Sequence, residues 1–259
     1  MKKETKIFVV YVPKGGAIKT TTVMALSQAI SILKPKASIL VVDADFQKNT
    51  TVTLVGKIED NDYSTYGVIT RKVDINDSII STDNPQIDLL PASISLAGVD
   101  IELQNEIGKD FRLKEAFTKI KKDYDYIIVD TSVLMSTMVV NALTSATDLI
   151  VPARPDAFTL DGLDMLPESL NEIKQYTNPN LQLTGILIGY MNDTILARDM
   201  VTRIEEKAQE IGTKVFKSKI RTGVVVPEAQ ALQQSLFEYA RHSKPAENYL
   251  EFAKELIGE

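Results

Sequence analysis

Side chains able to act on a phosphate ester gather at a few places in this 259-residue chain. The first is Lys14-Gly15-Gly16-Ala17-Ile18-Lys19-Thr20-Thr21, small residues and two lysines set between an apolar run and a stretch of helical period. Small residues let a backbone curl around an anion, a helix start offers unpaired N–H groups and partial positive charge, and a lysine there reaches the outer phosphates of a nucleotide. Lys14 to Thr21 is therefore the expected phosphate cradle, with the Thr20 hydroxyl suited to ligate Mg²⁺ held by those phosphates. Asp43 and Asp45 follow an apolar run and, two residues apart, share one face of an extended chain. Asp130 closes another such run. A Mg²⁺–nucleotide site needs these groups, one carboxylate to hold the metal's water shell and another to orient or deprotonate the attacking water. Each of them alone also suits a turn or a helix cap. Their arrival together favours a site.

Residues this far apart in sequence meet only if the elements carrying them share an edge. Short β-branched apolar runs at 6–12, 38–43, 87–90, 126–130, 149–152, 183–189 and 215–220 alternate with longer helical stretches, which predicts a parallel sheet covered on both faces. Residues 19–33 carry Val23, Leu26, Ile30 and Leu33 on one helix face, directly after the glycines. Further helices are predicted over 111–122, 133–147, 159–176, 195–211, 227–239 and 246–257, while 50–85 reads as polar and irregular. Without a Ser/Gly linker or an internal repeat, the expectation is one α/β domain over residues 1–259, doubly wound, with a mostly parallel sheet and helices on both faces. In such a sheet the C-terminal strand ends line the ligand crevice.

Composition narrows the chemistry. Cysteine is absent and His242 is the single histidine, which excludes disulfides, thiolate zinc sites, iron–sulfur clusters and histidine metal clusters. Any metal is a hard cation on oxygen. A formal charge of −6 argues against a surface that clings throughout to nucleic acid or anionic lipid. A local basic patch remains at Lys214, Lys217, Lys219 and Arg221, a run equally suited to a solvated strand edge. No uninterrupted apolar run of about 18 residues occurs and no cleavable signal pattern opens the chain, so a cytoplasmic protein is expected.

The loop resembles the deviant Walker A box of the ParA/Soj and MinD group, Lys-Gly-Gly-x-Gly-Lys-Thr, including its additional lysine at Lys14. Asp43-x-Asp45-x-Gln47-x-Asn49 is similar to that group's Asp-x-Asp-x-Gln-x-Asn, and residues 124–131 resemble its Walker B strand. The likeness continues through 90–103, 141–143 and 158–163, so it spans most of the chain and is specific to the partition branch. It implies a P-loop NTPase fold, ATP and Mg²⁺ as ligands, and a homodimer that sandwiches ATP. Lys14 would act in trans on the phosphates of the other subunit, much as an arginine finger does, while Lys19 and Thr20 serve the phosphates and metal of their own. Asp45 would position water, and Asp43 and Asp130 would support the metal. The resemblance further implies nucleoid association through sequence-independent DNA binding by Lys217, Lys219 and Arg221. Release would follow when a centromere-bound ParB-type partner speeds hydrolysis.

The chain also departs from that pattern. Ile18 replaces the glycine before the second lysine. Either φ stays negative at Ile18 and the cradle is modified, or nucleotide binding and turnover are weak and the chain is a catalytically degenerate scaffold or localisation protein. The expectation is ATP binding of reduced affinity with slow hydrolysis. Asp130-Thr131-Ser132-Val133 lacks the prolines usual after the Walker B aspartate. Ile220-Arg221-Thr222-Gly223 stands where Ile-Pro-Arg-Asn is usual near the adenine, which makes Arg221 a candidate nucleotide contact. Residues 249–259 are acidic, unlike the basic amphipathic tail of a membrane-cycling MinD, so no membrane partner is expected. Only residues 1–5 precede the first predicted strand, which argues against a separate DNA-binding extension.

Overall fold

The computed structural model describes residues 5–16 and 18–259. Its centre is a seven-stranded sheet built from β1 (Lys6–Val10), β2 (Ile39–Ala44), β3 (Ile80–Ser81), β4 (Ile87–Leu90), β5 (Tyr126–Thr131), β6 (Asp148–Ala153) and β7 (Gln182–Ile188), in the order β3-β4-β2-β5-β1-β6-β7. Every pairing is parallel except the short edge strand β3 against β4. The strands are apolar on both faces because helices cover both. Val9, Leu40, Val42, Ile127, Val129, Leu149 and Val151 point into one core, and Phe8, Val10, Ile39, Val41, Ile128 and Ile150 into the other.

On the second of these faces α1 (Lys19–Leu33) lies against α12 (Lys244–Ile257), burying Val23, Leu26 and Ile30 with Tyr249 and Phe252. The first face is covered chiefly by α7 (Thr137–Ser145), α8 (Ala157–Tyr176) and α9 (Ile195–Glu210), through Val139, Leu143, Leu163, Leu166 and Ile204. The chain leaves β1 towards β2 on one face, and leaves β6 towards β7 on the other, although β1 and β6 are neighbours. That reversal opens a crevice at their C-terminal ends, the usual binding place in such sheets.

Three expectations are corrected. Residues 50–85 are not irregular: they hold α2 (Asn49–Val55), α3 (Thr65–Ile69), α4 (Ile75–Ser78) and β3. These elements are too short to print a period on the sequence. Their polar residues are also buried, since Thr51 and Thr65 hydrogen-bond Asp43 through its carboxylate and carbonyl, at 2.7 and 2.8 Å. Residues 215–220 are not a strand. Val215 makes one isolated bridge with Ile186, and further backbone bonds tie Phe216 and Ile220 to β7. Between them the Glu255 carboxylate accepts the N–H groups of Lys217 and Ser218 at 3.0 and 3.1 Å, donors that a sheet ladder would otherwise use. The helix expected over 227–239 is broken at Gln233 (φ 54°) into α10 (Val225–Ala231) and α11 (Leu236–Tyr239). The remaining helices include α5 (Val99–Glu102) and α6 (Arg112–Thr118), the latter shorter than its predicted span. Among the described residues no helix is long and apolar enough to cross a membrane.

Candidate functional site

The loop from β1 to α1 overhangs the crevice. Gly16 (φ 70°) and Ile18 (φ 52°, ψ 20°) both adopt the left-handed region, and Ile18 stands at the N-cap of α1, its carbonyl accepting the Thr22 N–H at 2.8 Å. The negative φ entertained for Ile18 is therefore corrected: the loop takes the backbone shape of a glycine at that point, at about 1–3 kcal/mol of strain for a β-branched residue. Ala17 lies outside the described residues. Gly15 and Gly16 are exposed, and no side chain caps the first turn of α1 among the described residues. The N–H groups of that turn and its dipole thus face the loop without a competing partner.

Lys19 is only 8% exposed, with Nζ 3.4 Å from the Lys14 carbonyl oxygen. Burial lowers its pKa, and Asp130 and Asp45 act in the opposite direction. A desolvated ammonium with one carbonyl partner keeps donors free for a phosphate oxygen. Thr20 follows on the same turn, its hydroxyl donating to Asp130 Oδ2 at 2.7 Å. Thr50 donates to the same oxygen at 2.7 Å. Asp130 Oδ1 is buried and has no partner among the described residues. Burial raises the Asp130 pKa, against the hydroxyls of Thr20 and Thr50 and the charge of Lys19, while Asp45 raises it further.

Parallel pairing of β2 with β5 puts Asp43 directly beside Asp130. Asp43 is fully buried, and its oxygens are already engaged. Oδ2 accepts the Thr51 N–H and hydroxyl at 2.8 and 2.7 Å, and Oδ1 accepts the Asp45 N–H at 3.2 Å. Its pKa is raised by burial and then by Asp130. The structure thus turns Asp43, expected among the metal ligands, towards the loop that carries Asp45, and leaves the Thr20–Asp130 pair facing the phosphate loop. Asp45 is half-buried, with Oδ1 accepting the Gln47 N–H at 3.0 Å.

A hard dication fits these donors. They are a hydroxyl and carboxylate oxygens, one of them buried and unpaired, which suits Mg²⁺ rather than a softer metal. Among the described residues no group of three or more His, Cys, Asp or Glu is placed to hold a metal ion.

Lys14 bridges the crevice. Its Nζ lies 2.5 Å from Asp156 Oδ1 and 5.4 Å from the centre of the Phe158 ring. Asp156 is the N-cap of α8, accepting the Thr159 N–H at 3.0 Å. Burial pushes its pKa up, but the Lys14 ammonium and the Thr159 donors outweigh this and hold it below the usual carboxylate range. Arg154, at the C-terminal end of β6, stacks 4.4 Å over Tyr190 with Nη1 3.9 Å from the place a Cβ on Gly16 would take. It is a third cation at the loop, and the sequence reading missed it. So were Asp156, which a cap pattern Asp-x-x-Thr could have marked, and Thr50, for which no local signal exists.

Of the basic run, Arg221 lines a small hollow beside Ile18, Tyr190 and Tyr249. Lys217 is exposed, and Lys219 lies 3.6 Å from Glu205. The run is thus divided between the crevice and a partly neutralised outer edge.

A family model described as an AAA domain matches residues 5–183. The sporulation initiation inhibitor protein Soj of Bacillus subtilis is 32% identical over 251 residues, which are 97% of this chain and 98% of that protein. The chromosome partitioning protein ParA of Caulobacter vibrioides is 28% identical over 247 residues, 94% of this chain and 91% of its own. Among solved structures, cobyrinic acid a,c-diamide synthase from Mycobacterium smegmatis with bound ATP analog and magnesium is similar at a TM-score of 0.85 and 29% identity, covering 98% of this chain and 94% of that one.

Proposed function

The chain belongs to the ParA/Soj-type family of P-loop ATPases, and from that premise we propose that it is a DNA-segregation ATPase working as a single domain. It binds ATP with Mg²⁺, pairs with a second copy around the nucleotide, holds DNA without reading its sequence, and hydrolyses ATP faster when a ParB-type partner engages it. The observation that carries this reading is the meeting of Lys14, Lys19, Thr20, Asp45 and Asp130 at one crevice, from the ends of β1, β2 and β5.

Each residue has a distinct task. The first-turn N–H groups of α1 and the Lys19 ammonium hold the outer phosphates. Thr20 Oγ1 holds the metal, and Asp130, already bonded to that hydroxyl, orients it and the metal's water shell. Mg²⁺ itself supplies charge neutralisation on the phosphate oxygens. Asp45, with Oδ1 held by the Gln47 N–H, turns Oδ2 to the attacking water and takes its proton. Lys14 leaves Asp156 to meet the phosphates bound by the second subunit, so that ATP joins two incomplete sites. Exposed Phe46, Leu134, Met135 and Phe158 follow the ends of β2, β5 and β6 around the crevice, and they supply an apolar face for that pairing. The glycine-like backbone at Ile18 favours a working cradle over a degenerate scaffold.

Phosphate release from ATP by the purified chain, together with light scattering, tests this. We expect Lys19→Ala to lower hydrolysis about 10²–10³-fold. Asp45→Ala should retain ATP and accumulate as a dimer. Hydrolysis unchanged in both variants would reject the assignment.

A further inference from the structure

Asp45 stands just beyond the reach of the sheet. β2 pairs with β5 as far as Ala44 opposite Thr131, and α2 begins at Asn49, so the strand ladder does not fix the turn that carries the proton acceptor. Local bonds give this turn its shape. The Asp45 carbonyl accepts the Lys48 N–H at 3.0 Å, and Asp45 Oδ1 accepts the Gln47 N–H at 3.0 Å. Shape alone does not set where the turn sits over the crevice. Among the described residues, Lys48 is the member of 45–48 whose hydrogen bond reaches past α2, its Nζ donating to Asp60 Oδ1 at 2.8 Å.

The Asp60 carboxylate holds a second segment as well. Its Oδ2 accepts the Ser93 hydroxyl at 3.0 Å and its Oδ1 the Ile94 N–H at 3.2 Å, at the start of the helical turn Ile94–Gly98. Leu96 and Ala97 of that helical turn line one open cavity of about 390 Å³ together with Asp45, Phe46 and Gln47. A single carboxylate thus ties together two parts of the wall around Asp45. Burial pushes the Asp60 pKa up, but the Lys48 ammonium and the Ile94 and Ser93 donors outweigh this and hold it below the usual carboxylate range. The clamp is therefore charged at neutral pH.

The backbone shows that Lys48 is held in place. Its φ of 60° and ψ of 25° lie in the left-handed region, which a residue with a Cβ keeps only where its surroundings over-determine it. Stability is a poor explanation for the contact, because both partners are partly exposed, at 17% and 33%, and such ion pairs contribute little. What the pair supplies is position.

Resting on the ATPase reading above, we propose that Lys48 is a positioning residue for hydrolysis: clamped to Asp60, it holds the turn that presents Asp45 to the attacking water. Lys19 and Thr20 stand on α1, apart from the clamp, so ATP binding survives its loss while turnover does not.

Steady-state hydrolysis by the full chain with ATP and Mg²⁺, paired with calorimetry for ATP binding, tests this. Lys48→Met keeps an unbranched stem without the charge. It should lower kcat about tenfold or more while leaving ATP affinity within about threefold and the melting temperature nearly unchanged. Lys48→Arg, which can still reach Asp60, should restore kcat to within about threefold of wild type. Asp60→Asn should lower kcat as Lys48→Met does, and the double variant should fall no further than either single one. An unchanged kcat in Lys48→Met overturns the inference and leaves the ATPase reading standing. So does a loss of kcat matched by an equal loss of ATP affinity, or one that Lys48→Arg does not restore. Absence of hydrolysis by the wild type overturns the two together.

Discussion

Asp130 shows what burial does to a single carboxylate. Taken out of water beside Asp43, it resists ionisation, and only the hydroxyls of Thr20 and Thr50 and the charge of Lys19 favour the anion. The sign of the stability effect follows from a raised native pKa. The native state keeps a proton that the unfolded chain has lost, so the contribution is full below the ordinary carboxylate value and disappears as pH rises through the native one. Asp130→Asn cannot ionise and escapes this loss. Without ligand, its melting temperature relative to wild type should therefore climb between about pH 4 and about pH 6 and level off above that. Scanning calorimetry across that range reads the difference. A constant gap would mean that Asp130 titrates as it does in the unfolded chain. Mg²⁺ with triphosphate, by matching the anion, should narrow the gap at neutral pH.

At the level of elements, the N-terminus of α8 does two jobs with one side chain. Asp156 caps the helix through the Thr159 N–H and pairs with Lys14, so loop and helix hold each other across the crevice. Asp156→Ala removes both and should cost about 1 kcal/mol in urea denaturation, with Asp156→Asn, which still caps, costing less. Equal losses in the two variants would assign the stability to the ion pair instead. The α3 region is constrained in another way. A Cβ on Gly67 would come within 1.9 Å of the Asp62 carbonyl oxygen, and backbone cannot step aside as a side chain can. Gly67→Ala should cost about 1–3 kcal/mol, and because the Thr65 hydroxyl ties α3 to the Asp43 carbonyl at the end of β2, it should also slow phosphate release. A fully stable, fully active variant would contradict the packing.

For the whole molecule the balance of charge decides what DNA binding can look like. With a net −6, contact must be confined to a patch, where the Lys217 side chain is exposed and Lys219 lies 3.6 Å from the Glu205 carboxylate. Any affinity is therefore modest and sensitive to salt. Replacing Lys217 and Lys219 by alanine should weaken nucleotide-dependent DNA binding on every sequence alike, and lower the salt slope by about one per lysine that truly meets phosphate. Filter binding at several salt concentrations measures it. An unchanged slope would remove this edge from the DNA-binding surface and leave it a solvated rim.

The sequence alone determined the alternation of strand and helix, the parallel sheet and the glycine-bearing loop between β1 and α1, because periodicity, β-branching, glycines and lysines are local signals that adjacent residues carry together. Lys14, Lys19, Thr20 and the strand-end carboxylates were legible for the same reason. Tertiary structure decided what depends on neighbours distant in the chain. Asp43 is committed to Thr51 while Asp130 keeps a free oxygen, Lys217 and Ser218 give their N–H groups to Glu255 instead of a sheet, and Arg154 and Asp156 reach the loop from β6 and α8. Ile18 states the division most sharply. Its identity marked an anomaly in the sequence, but its left-handed backbone and its side-chain contact with Gly189, some 170 residues away, exist only because packing of the fold brings the end of β7 against the phosphate loop.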